Sequence, residues 1–219
     1  MSGAKPPEFF VKSLAKLGLS LQPMQEKALL NYEKLLLSWN PKINLIAPST
    51  LSDLWNRHFL DSAQLAPYLN QHTNVADLGA GGGFPGLILA ILRPDLQMTL
   101  MESDQRKAAF LYEVTRVTKA DGMHFSVSPI IYNNRVENWS GTKFDVICAR
   151  ALAPLGQLLR LARPLLKDSG SCLFLKGEKI EAELTEARKS WHMAVEKHPS
   201  LTEGKAVLLK LDQILPLGK

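Results

Sequence analysis

Hydrophobic and polar positions follow two different periods along this chain. From residue 74 onward, short apolar runs alternate with stretches in which apolar residues recur at helical spacing. This alternation is typical of a parallel α/β sheet with helices on both faces. It predicts strands at 74–78, 97–102, 123–127, 144–149 and 171–176, and helices at 84–92, 105–118, 155–166 and 178–190. Two further apolar runs, at 191–197 and 205–211, predict an antiparallel hairpin that completes a mostly parallel, seven-stranded sheet at one edge.

The first part of the chain shows helical spacing without strands. Helices are predicted at 6–19, 23–39 and 51–69, and Asn40–Pro41 is expected to end the second. The apolar stripe of that second helix is most simply explained by packing against the rest of the chain. We therefore expect an N-terminal helical extension, residues 1–72, packed as one unit with a main domain of residues 73–219.

A glycine-rich turn, VADLGAGGGFPG at Val75–Gly86, follows the first predicted strand and precedes a helix. Glycines permit positive φ angles and let a ligand lie against the backbone. Pro85 suits the first helical position, and the free amides of a helix start favour an anion. The spacing G-x-G-x-x-G occurs at Gly81, Gly83 and Gly86, so a nicotinamide dinucleotide is one ligand to consider.

Two acids near the turn indicate a different cofactor. Asp77 stands just before the glycines, and Glu102 ends the second predicted strand, where an acid commonly binds ribose hydroxyls. This arrangement resembles the class I S-adenosylmethionine-dependent methyltransferases, which have a Rossmann-like fold. The resemblance implies that Asp77 and the glycine turn serve the methionine end of S-adenosylmethionine, while Glu102 holds its ribose.

Further candidates follow the other predicted strands, at the edge where open α/β sheets bind ligands. Val136 and Glu137 come after the third strand, and an apolar residue with a polar neighbour suits an adenine ring. Arg150 ends the fourth strand and is interpreted as a pocket residue that pairs with phosphate or carboxylate. The alternative for Arg150 is an internal ion pair with Asp145 or Asp168.

The third predicted helix carries Arg57, His58 and Asp61. His58 and Asp61 are one helical turn apart, so they either orient the helix surface or contribute to a ligand pocket. The sequence leaves both interpretations open.

Composition limits the class of protein. The chain has 219 residues, 46% of them hydrophobic, and no apolar run long enough to span a bilayer, so we expect a cytoplasmic protein without a membrane partner. Cys148 and Cys172 lie in apolar runs and are predicted to be buried, reduced thiols; no ligand spacing indicates a metal. A net charge of +5 and a pI of about 9.2 are compatible with a nucleic-acid partner.

The residues after the fourth strand limit the reaction. They read ARALAP, unlike the Asn/Asp-Pro-Pro-aromatic turn that grips an exocyclic amine, and neither cysteine is placed for a thiolate adduct. A ring nitrogen with a free lone pair needs no proton removed before it attacks, so positioning and desolvation suffice. The absence of an evident base therefore fits a nucleophile such as N7 of guanine.

Longer blocks of sequence are similar to one family. Glucose-inhibited division protein B, the RsmG family, is matched over about residues 22–210 by WNPKINLIA, RHFLDS, VADLGAGGGFPGLILAI, ESDQRKAAFL, RVE, FDVICARALAPL and LKG. The resemblance implies S-adenosylmethionine-dependent methylation of N7 of one guanosine in bacterial 16S ribosomal RNA. It leaves open whether the substrate is naked RNA, the small ribosomal subunit or an assembly intermediate.

The resemblance also implies roles for individual positions. Cofactor contacts are expected at Gly79, Phe84, Val136, Glu137 and Arg150, with the cofactor lying along Gly79–Gly83, which includes Gly81, and on Glu102. RNA-binding candidates are Asn44, Arg57, His58, Arg106, Lys107 and Lys176, and Asn40 matches another characteristic position. Arg150 and Lys176 are expected to position ligands, and no residue is assigned as an acid or base. Val136 departs from the family, which usually has a smaller alanine there.

Three alternatives remain open from the sequence. One is a nicotinamide-dependent oxidoreductase that uses the same turn. Another is a methyltransferase with a protein or small-molecule acceptor. The third is a non-catalytic RNA-binding or cell-division factor.

Overall fold

One mixed sheet organises residues 5–218, the part of the chain that the computed structural model describes. Its strands are β1 Asn74–Leu78, β2 Gln97–Met101, β3 Ile130–Tyr132, β4 Phe144–Arg150, β5 Leu166–Lys176, β6 Trp191–Pro199 and β7 Val207–Pro216. Their order across the sheet is β3-β2-β1-β4-β5-β7-β6. β1 to β5 are parallel, and β7 is antiparallel to β5 and β6, so the predicted fold class and edge hairpin are confirmed.

Helices cover both faces of this sheet. They are α1 Glu8–Lys16, α2 Pro23–Ile43, α3 Asp61–Ala63, α4 Gly86–Leu92, α5 Gln105–Ala120, α6 Leu155–Ala162 and α7 Ile180–Ala187. Short 3-10 turns lie at Pro48–Asp53, Ala66–Tyr68, Val136–Asn138 and Arg163–Leu165, and a π-helix lies at Trp55–Leu60. One apolar cluster joins α1, α2, α4 and α5 to the sheet, and a second joins α6 and α7 to the opposite face.

The strand order reverses at β1, because β2 and β3 lie on one side of it and β4 on the other. Ligands of open α/β sheets bind beyond the carboxyl ends of the strands at such a reversal. The glycine turn follows β1, so the topology places it at this point of the edge.

Several predicted elements differ from the structure. The third strand lies at 130–132 and not at 123–127, because only the later segment pairs with β2; the amide of Ser126 donates instead to the carbonyl of Pro94. A 3-10 turn at Arg163–Leu165, which contains Pro164, ends α6 early, and β5 then starts at Leu166, five residues before its predicted start at 171.

The second predicted helix is longer than expected, because Asn40–Pro41 does not end it. Pro41 removes the amide that would bond to the carbonyl of Leu37, and Leu37 is exposed, so water can satisfy that carbonyl. The helix ends where Asn44 takes a left-handed conformation, at φ 49°. The buried side chain of Asn40 then accepts a hydrogen bond from the amide of Ile46.

The predicted helix at 51–69 is four short helical segments in the structure. The first of them is a 3-10 turn that contains Ser49 and Thr50. This irregular segment turns the backbone so that Trp55 and Phe59 enter the apolar cluster while Arg57 stays at the surface.

The N-terminal extension contacts the glycine turn and the helix after it. The hydroxyl of Tyr32 donates to the carbonyl of Gly82. The side-chain amide of Gln25 donates to the carbonyls of Ile91 and Leu92, at 2.9 and 3.1 Å, at the end of α4. Both residues are buried, so the extension satisfies polar groups of the main domain that would otherwise lack partners.

No helix among residues 5–218 is long and apolar enough to cross a membrane. Cys148 and Cys172 are buried and free, as predicted.

We predict that Gln25→Leu lowers the free energy of unfolding by about 1–3 kcal/mol, because two buried carbonyls at the end of α4 lose their donor. Urea denaturation measures the change. Lys34→Leu places the same side chain at an exposed position of α2 and is expected to change stability by less than about 0.5 kcal/mol. Equal losses in the two variants would contradict a role for the amide.

Candidate functional site

Glu102 is fixed by two backbone amides at the carboxyl end of β2. Its Oε2 accepts from the amide of Gly81 at 2.9 Å, and its Oε1 accepts from the amide of Asp104 at 2.7 Å. The side chain of Asp104 in turn caps α5 by accepting from the amides of Arg106 and Lys107. Glu102 is 8% exposed, and each carboxylate oxygen keeps a second lone pair for a ligand.

A cavity of about 400 Å³ opens beside this carboxylate, and we call it the first cavity. Its volume lies in the range of small-molecule sites, roughly 300–1,000 Å³. Of the predicted cofactor residues, Gly79, Gly81, Glu102, Val136, Glu137 and Arg150 line it. The structure thus brings together residues at or after the carboxyl ends of four strands, β1 to β4.

Gly79 has a backbone conformation that favours glycine, and it lies against a neighbouring side chain. Its φ angle is +69°, and a Cβ atom there would lie 2.6 Å from Cδ1 of Leu152. Leu152 also lines the first cavity, and its side chain is 39% exposed. The loop after β4 therefore lies directly against the glycine turn.

Asp77 does not line the first cavity. Its carboxylate is fully buried, Oδ2 accepts from the amide of Gly86 at 2.8 Å, and Oδ1 has no hydrogen-bond partner among the described residues. Burial raises the pKa of Asp77 to about 7. The amide expected to form an anion site is therefore bound by Asp77, and α4 begins at Gly86, one residue after Pro85.

Phe84 also points away from the first cavity. Its ring is buried among Tyr32, Phe59 and His58 of the extension, at centroid distances of 5.6, 5.9 and 5.1 Å. The guanidinium carbon of Arg150 lies 4.8 Å from the ring centroid. The contribution of Phe84 is to support Arg150 from behind.

Arg150 joins the end of β4 to the extension. It donates to the carbonyl of Arg57 at 3.0 Å and to Nδ1 of His58 at 2.7 Å, and it lies 3.5 Å from Oδ2 of Asp61. The predicted partners Asp145 and Asp168 pair instead with Lys167 and Arg163. Arg150 is thus both a cavity residue and one member of an internal ion pair.

His58 is held in its neutral form. Burial, and then the charge of Arg150, lower the pKa of His58 to about 3. Since a guanidinium only donates, Nδ1 of His58 must accept, and Nε2 carries the proton towards Oγ1 of Thr50 at 2.8 Å. Both ring nitrogens of His58 are occupied.

A second cavity, of about 450 Å³, lies on the other side of Arg150. It shares Arg150 and Ala151 with the first cavity. Its lining includes the predicted RNA candidates Arg57, His58 and Lys176, together with Asp61, Glu183, Thr202 and Glu203. The loop between β6 and β7 therefore forms one wall of this cavity, and the N-terminal extension forms another.

Lys176 is more enclosed than an RNA-binding lysine at a surface would be. Its Nζ lies 2.6 Å from Oε2 of Glu183 and donates to the carbonyl of Ala153 at 3.0 Å. Oε2 of Glu183 also accepts from the amide of Leu155. The pair fixes the loop that follows Arg150.

The remaining RNA candidates are spread over the surface. Arg57 lies at the rim of the second cavity and pairs with Glu203 at 2.9 Å. Lys107 lines the first cavity, whereas Asn44 and Arg106 are exposed and line neither.

Some residues of these cavities were not singled out by the sequence. Asn134 and Gln157 line the first cavity, and Thr202 lines the second. Their positions depend on where loops cross the edge, and the strand pattern gives no signal for that. Among the described residues, no group of three or more His, Cys, Asp or Glu side chains could hold a metal ion.

Comparisons with known proteins agree with this architecture. A family model described as GidB, rRNA small subunit methyltransferase G, matches residues 25–211. Ribosomal RNA small subunit methyltransferase G of Rhodospirillum centenum is 48% identical over 205 residues, which cover 93% of this chain and 90% of the relative. The protein of the same name from Gluconobacter oxydans is 48% identical over 180 residues, 82% of this chain and 89% of the relative.

Solved structures of low sequence identity share the fold. A putative transferase from Pyrococcus horikoshii aligns with a TM-score of 0.57 at 17% identity, over 81% of this chain and 67% of that one. M. jannaschii TYW2, solved in complex with AdoMet, aligns with a TM-score of 0.55 at 15% identity, over 81% of this chain and 80% of that one.

The strand order, the reversed β7 and the glycine turn with its two acids are those of the Rossmann-like, class I methyltransferase fold, and the family model that matches the chain is a methyltransferase. More narrowly, the chain belongs to the GidB family, rRNA small subunit methyltransferase G. The predicted family and enzyme class are confirmed. Membership decides against the nicotinamide-dependent oxidoreductase and the non-catalytic factor.

We predict that Asp77→Asn changes the pH dependence of stability. The folded chain keeps a proton on Asp77 up to about pH 7, whereas the unfolded chain releases it near its ordinary pKa of 3.8. As pH rises from 4 to 7, the titration of Asp77 therefore lowers the free energy of unfolding of the unsubstituted protein by up to about 1.4 kcal/mol per pH unit. The asparagine side chain lacks this titration.

Urea unfolding of both proteins at pH 5 and pH 7 measures the effect. The variant is expected to gain about 1–3 kcal/mol relative to the unsubstituted protein between the two pH values. The same difference at both pH values would contradict the buried, protonated carboxyl.

Proposed function

We propose that this protein transfers the methyl group of S-adenosylmethionine to N7 of a specific guanosine in bacterial small-subunit, 16S, ribosomal RNA. The observation that carries the proposal is a pair of cavities that meet at Arg150 and Ala151, the first beside the ribose-type acid Glu102. Membership of the family supports the acceptor class. We place the reaction in the cytoplasm, because small ribosomal subunits are made there.

The groups that line the first cavity are suited to S-adenosylmethionine. Glu102 offers free lone pairs to ribose hydroxyls, and the absence of a side chain at Gly79 and Gly81 leaves backbone accessible to the cofactor. Val136 and Glu137 lie together in one 3-10 turn at its rim. We assign that turn to the adenine, with Val136 against the ring and Glu137 or neighbouring backbone at its edge.

Asp77 has an indirect role in this proposal. Its carboxylate holds the amide of Gly86 beneath the glycine turn, so it fixes the backbone that faces the cofactor. Phe84 is likewise a support for Arg150. We therefore place both residues behind the cofactor site and Gly79, Gly81 and Glu102 on it.

The second cavity is the site that we assign to the acceptor base. When bound, S-adenosylmethionine supplies a methyl group on a positively charged sulfur, which N7 attacks in line. The base must leave its RNA stack to reach this depth, and Arg57 at the rim is placed to contact the RNA backbone.

The surrounding side chains support a reaction without a general base. His58 is neutral, with both ring nitrogens occupied, and Lys176 is bound to Glu183. N7 carries its own lone pair, so the protein has to orient the base and exclude water. Arg150 is anchored by Asp61, His58 and a backbone carbonyl, which holds its charge in place between the cavities.

We predict that Glu102→Ala weakens S-adenosylmethionine binding by roughly tenfold or more, because ribose hydroxyls lose a charged acceptor. Isothermal titration measures the affinity, and circular dichroism checks the fold. Asp168→Asn, at an exposed position that lines neither cavity, is the control and is expected to bind normally. Unchanged affinity in Glu102→Ala would contradict the site, and tight binding of NAD instead would contradict the cofactor.

The acceptor is tested by mass mapping of methylated nucleotides in ribosomal RNA from cells with and without this protein. We expect one 7-methylguanosine in 16S RNA to disappear with the gene and to return when the protein is restored. Purified protein is then incubated with labelled S-adenosylmethionine and naked RNA, small subunits or assembly intermediates, to identify which form is methylated. An unchanged 16S methylation pattern would contradict the proposed substrate.

A further inference from the structure

Four carboxylates line the second cavity, and three of them are already engaged or largely exposed. Glu178 pairs with Lys205 and Glu203 pairs with Arg57, with side chains 68% and 48% exposed. Glu183 accepts from Lys176 and from the amide of Leu155 through the same oxygen. Asp61 is the enclosed member of the set, with a side chain that is 15% exposed.

The two oxygens of Asp61 have different surroundings. Oδ1 accepts from the side-chain amide of Gln64 at 2.8 Å and from the hydroxyl of Thr202 at 2.9 Å. Oδ2 faces the guanidinium of Arg150 at 3.5 Å, which is longer than a good hydrogen bond. The carboxylate is therefore held rigidly through one oxygen and retains acceptor capacity at the other.

Asp61 lies in the second cavity next to the junction of the two cavities. It contacts the guanidinium of Arg150, and Arg150 and Ala151 are the two residues that both cavities share. A base in the second cavity that faces Asp61 with one edge therefore presents its opposite edge to the junction.

We propose that Asp61 selects guanine by accepting hydrogen bonds from N1–H and the 2-amino group of the acceptor base; this inference rests on the proposed function. Those two donors are adjacent on guanine, and adenine lacks both. N7 lies on the other side of the ring system, so a base held by Asp61 directs N7 towards Ala151 and the first cavity.

The same contact assists the reaction electrostatically. Methylation leaves the N7 lone pair in a new N–C bond and puts a positive charge on the purine, while the sulfur keeps the electrons of the broken S–C bond and becomes neutral. A largely enclosed carboxylate that faces the purine stabilises this developing charge. Gln64 and Thr202 hold the carboxylate in position before the base arrives.

The test compares two proteins on two substrates. A recognition role predicts that the substitution at Asp61 changes the preference between the substrates, whereas a structural role predicts that it lowers both rates by the same factor. The substrates are small-subunit RNA with guanosine at the mapped acceptor position and the same RNA with inosine there, which lacks only the 2-amino group. The proteins are the unsubstituted chain and Asp61→Asn, compared by kcat/KM for methyl transfer.

We expect the unsubstituted protein to prefer guanosine over inosine by roughly tenfold or more, the effect of removing a hydrogen bond to a charged group. Asp61→Asn is expected to be slower on guanosine and to treat the two bases alike within about threefold. Glu203→Gln, the control on the same cavity, is expected to keep the full preference.

Preference for guanosine that persists unchanged in Asp61→Asn would overturn the inference and assign Asp61 to structure alone. If that variant does not fold, the unsubstituted protein decides: equal rates on inosine and guanosine overturn the inference, and a preference supports it. No transfer to the guanosine RNA at all would contradict the proposed function itself, which separates that failure from this one.

Discussion

The arrangement of both cavities depends on one largely enclosed arginine, whose side chain is 17% exposed. The guanidinium of Arg150 lies over Phe84 and contacts the carbonyl of Arg57, the ring of His58 and the carboxylate of Asp61. Burying a charge is unfavourable unless it is paired and hydrogen-bonded, so Arg150 strongly favours the structure in which the N-terminal extension is docked. Through its contacts with this side chain, the N-terminal extension forms part of the site in addition to covering one face of the sheet.

The two carboxylates at this edge of the sheet, Glu102 and Asp77, have different roles because their surroundings differ. Glu102 accepts from two backbone amides at the cavity wall and retains lone pairs for a ligand, whereas Asp77 is enclosed and has one oxygen without a partner. The first is suited to contact a polar ligand directly. The second fixes the turn from behind, because its bond to Gly86 ties the end of β1 to the start of α4.

The sequence predicted the sheet well, because each strand from β1 to β5 except the third is a distinct apolar run. It failed at 123–127, where alternation resembled a strand although the pairing partner on β2 is taken by 130–132. It also failed at Pro41, because a proline is tolerated in a helix where the carbonyl one turn earlier is exposed. Rules based on neighbouring residues in the sequence do not take such features of the folded structure into account.

The sequence placed Glu102 and Arg150 at strand ends, and both line the first cavity; their contacts with a ligand stay predictions. Asp77 and Phe84 were predicted from the same glycine motif, but both are buried and neither lines that cavity, because the motif does not indicate which side chains turn inward. The partners of Arg150 come from a π-helix 92 residues earlier in the chain, as the contact with His58 shows. No spacing pattern in the sequence predicts that contact.

The central claim is that a methyl group passes from one cavity to the other at the Arg150–Ala151 junction. A crystal structure with S-adenosylhomocysteine, the product that retains the sulfur, tests it most directly. Our account predicts ribose hydroxyls on Glu102 and a sulfur atom that faces the second cavity past Ala151. A ribose away from Glu102, or a sulfur directed to a wall closed off from the second cavity, would contradict it.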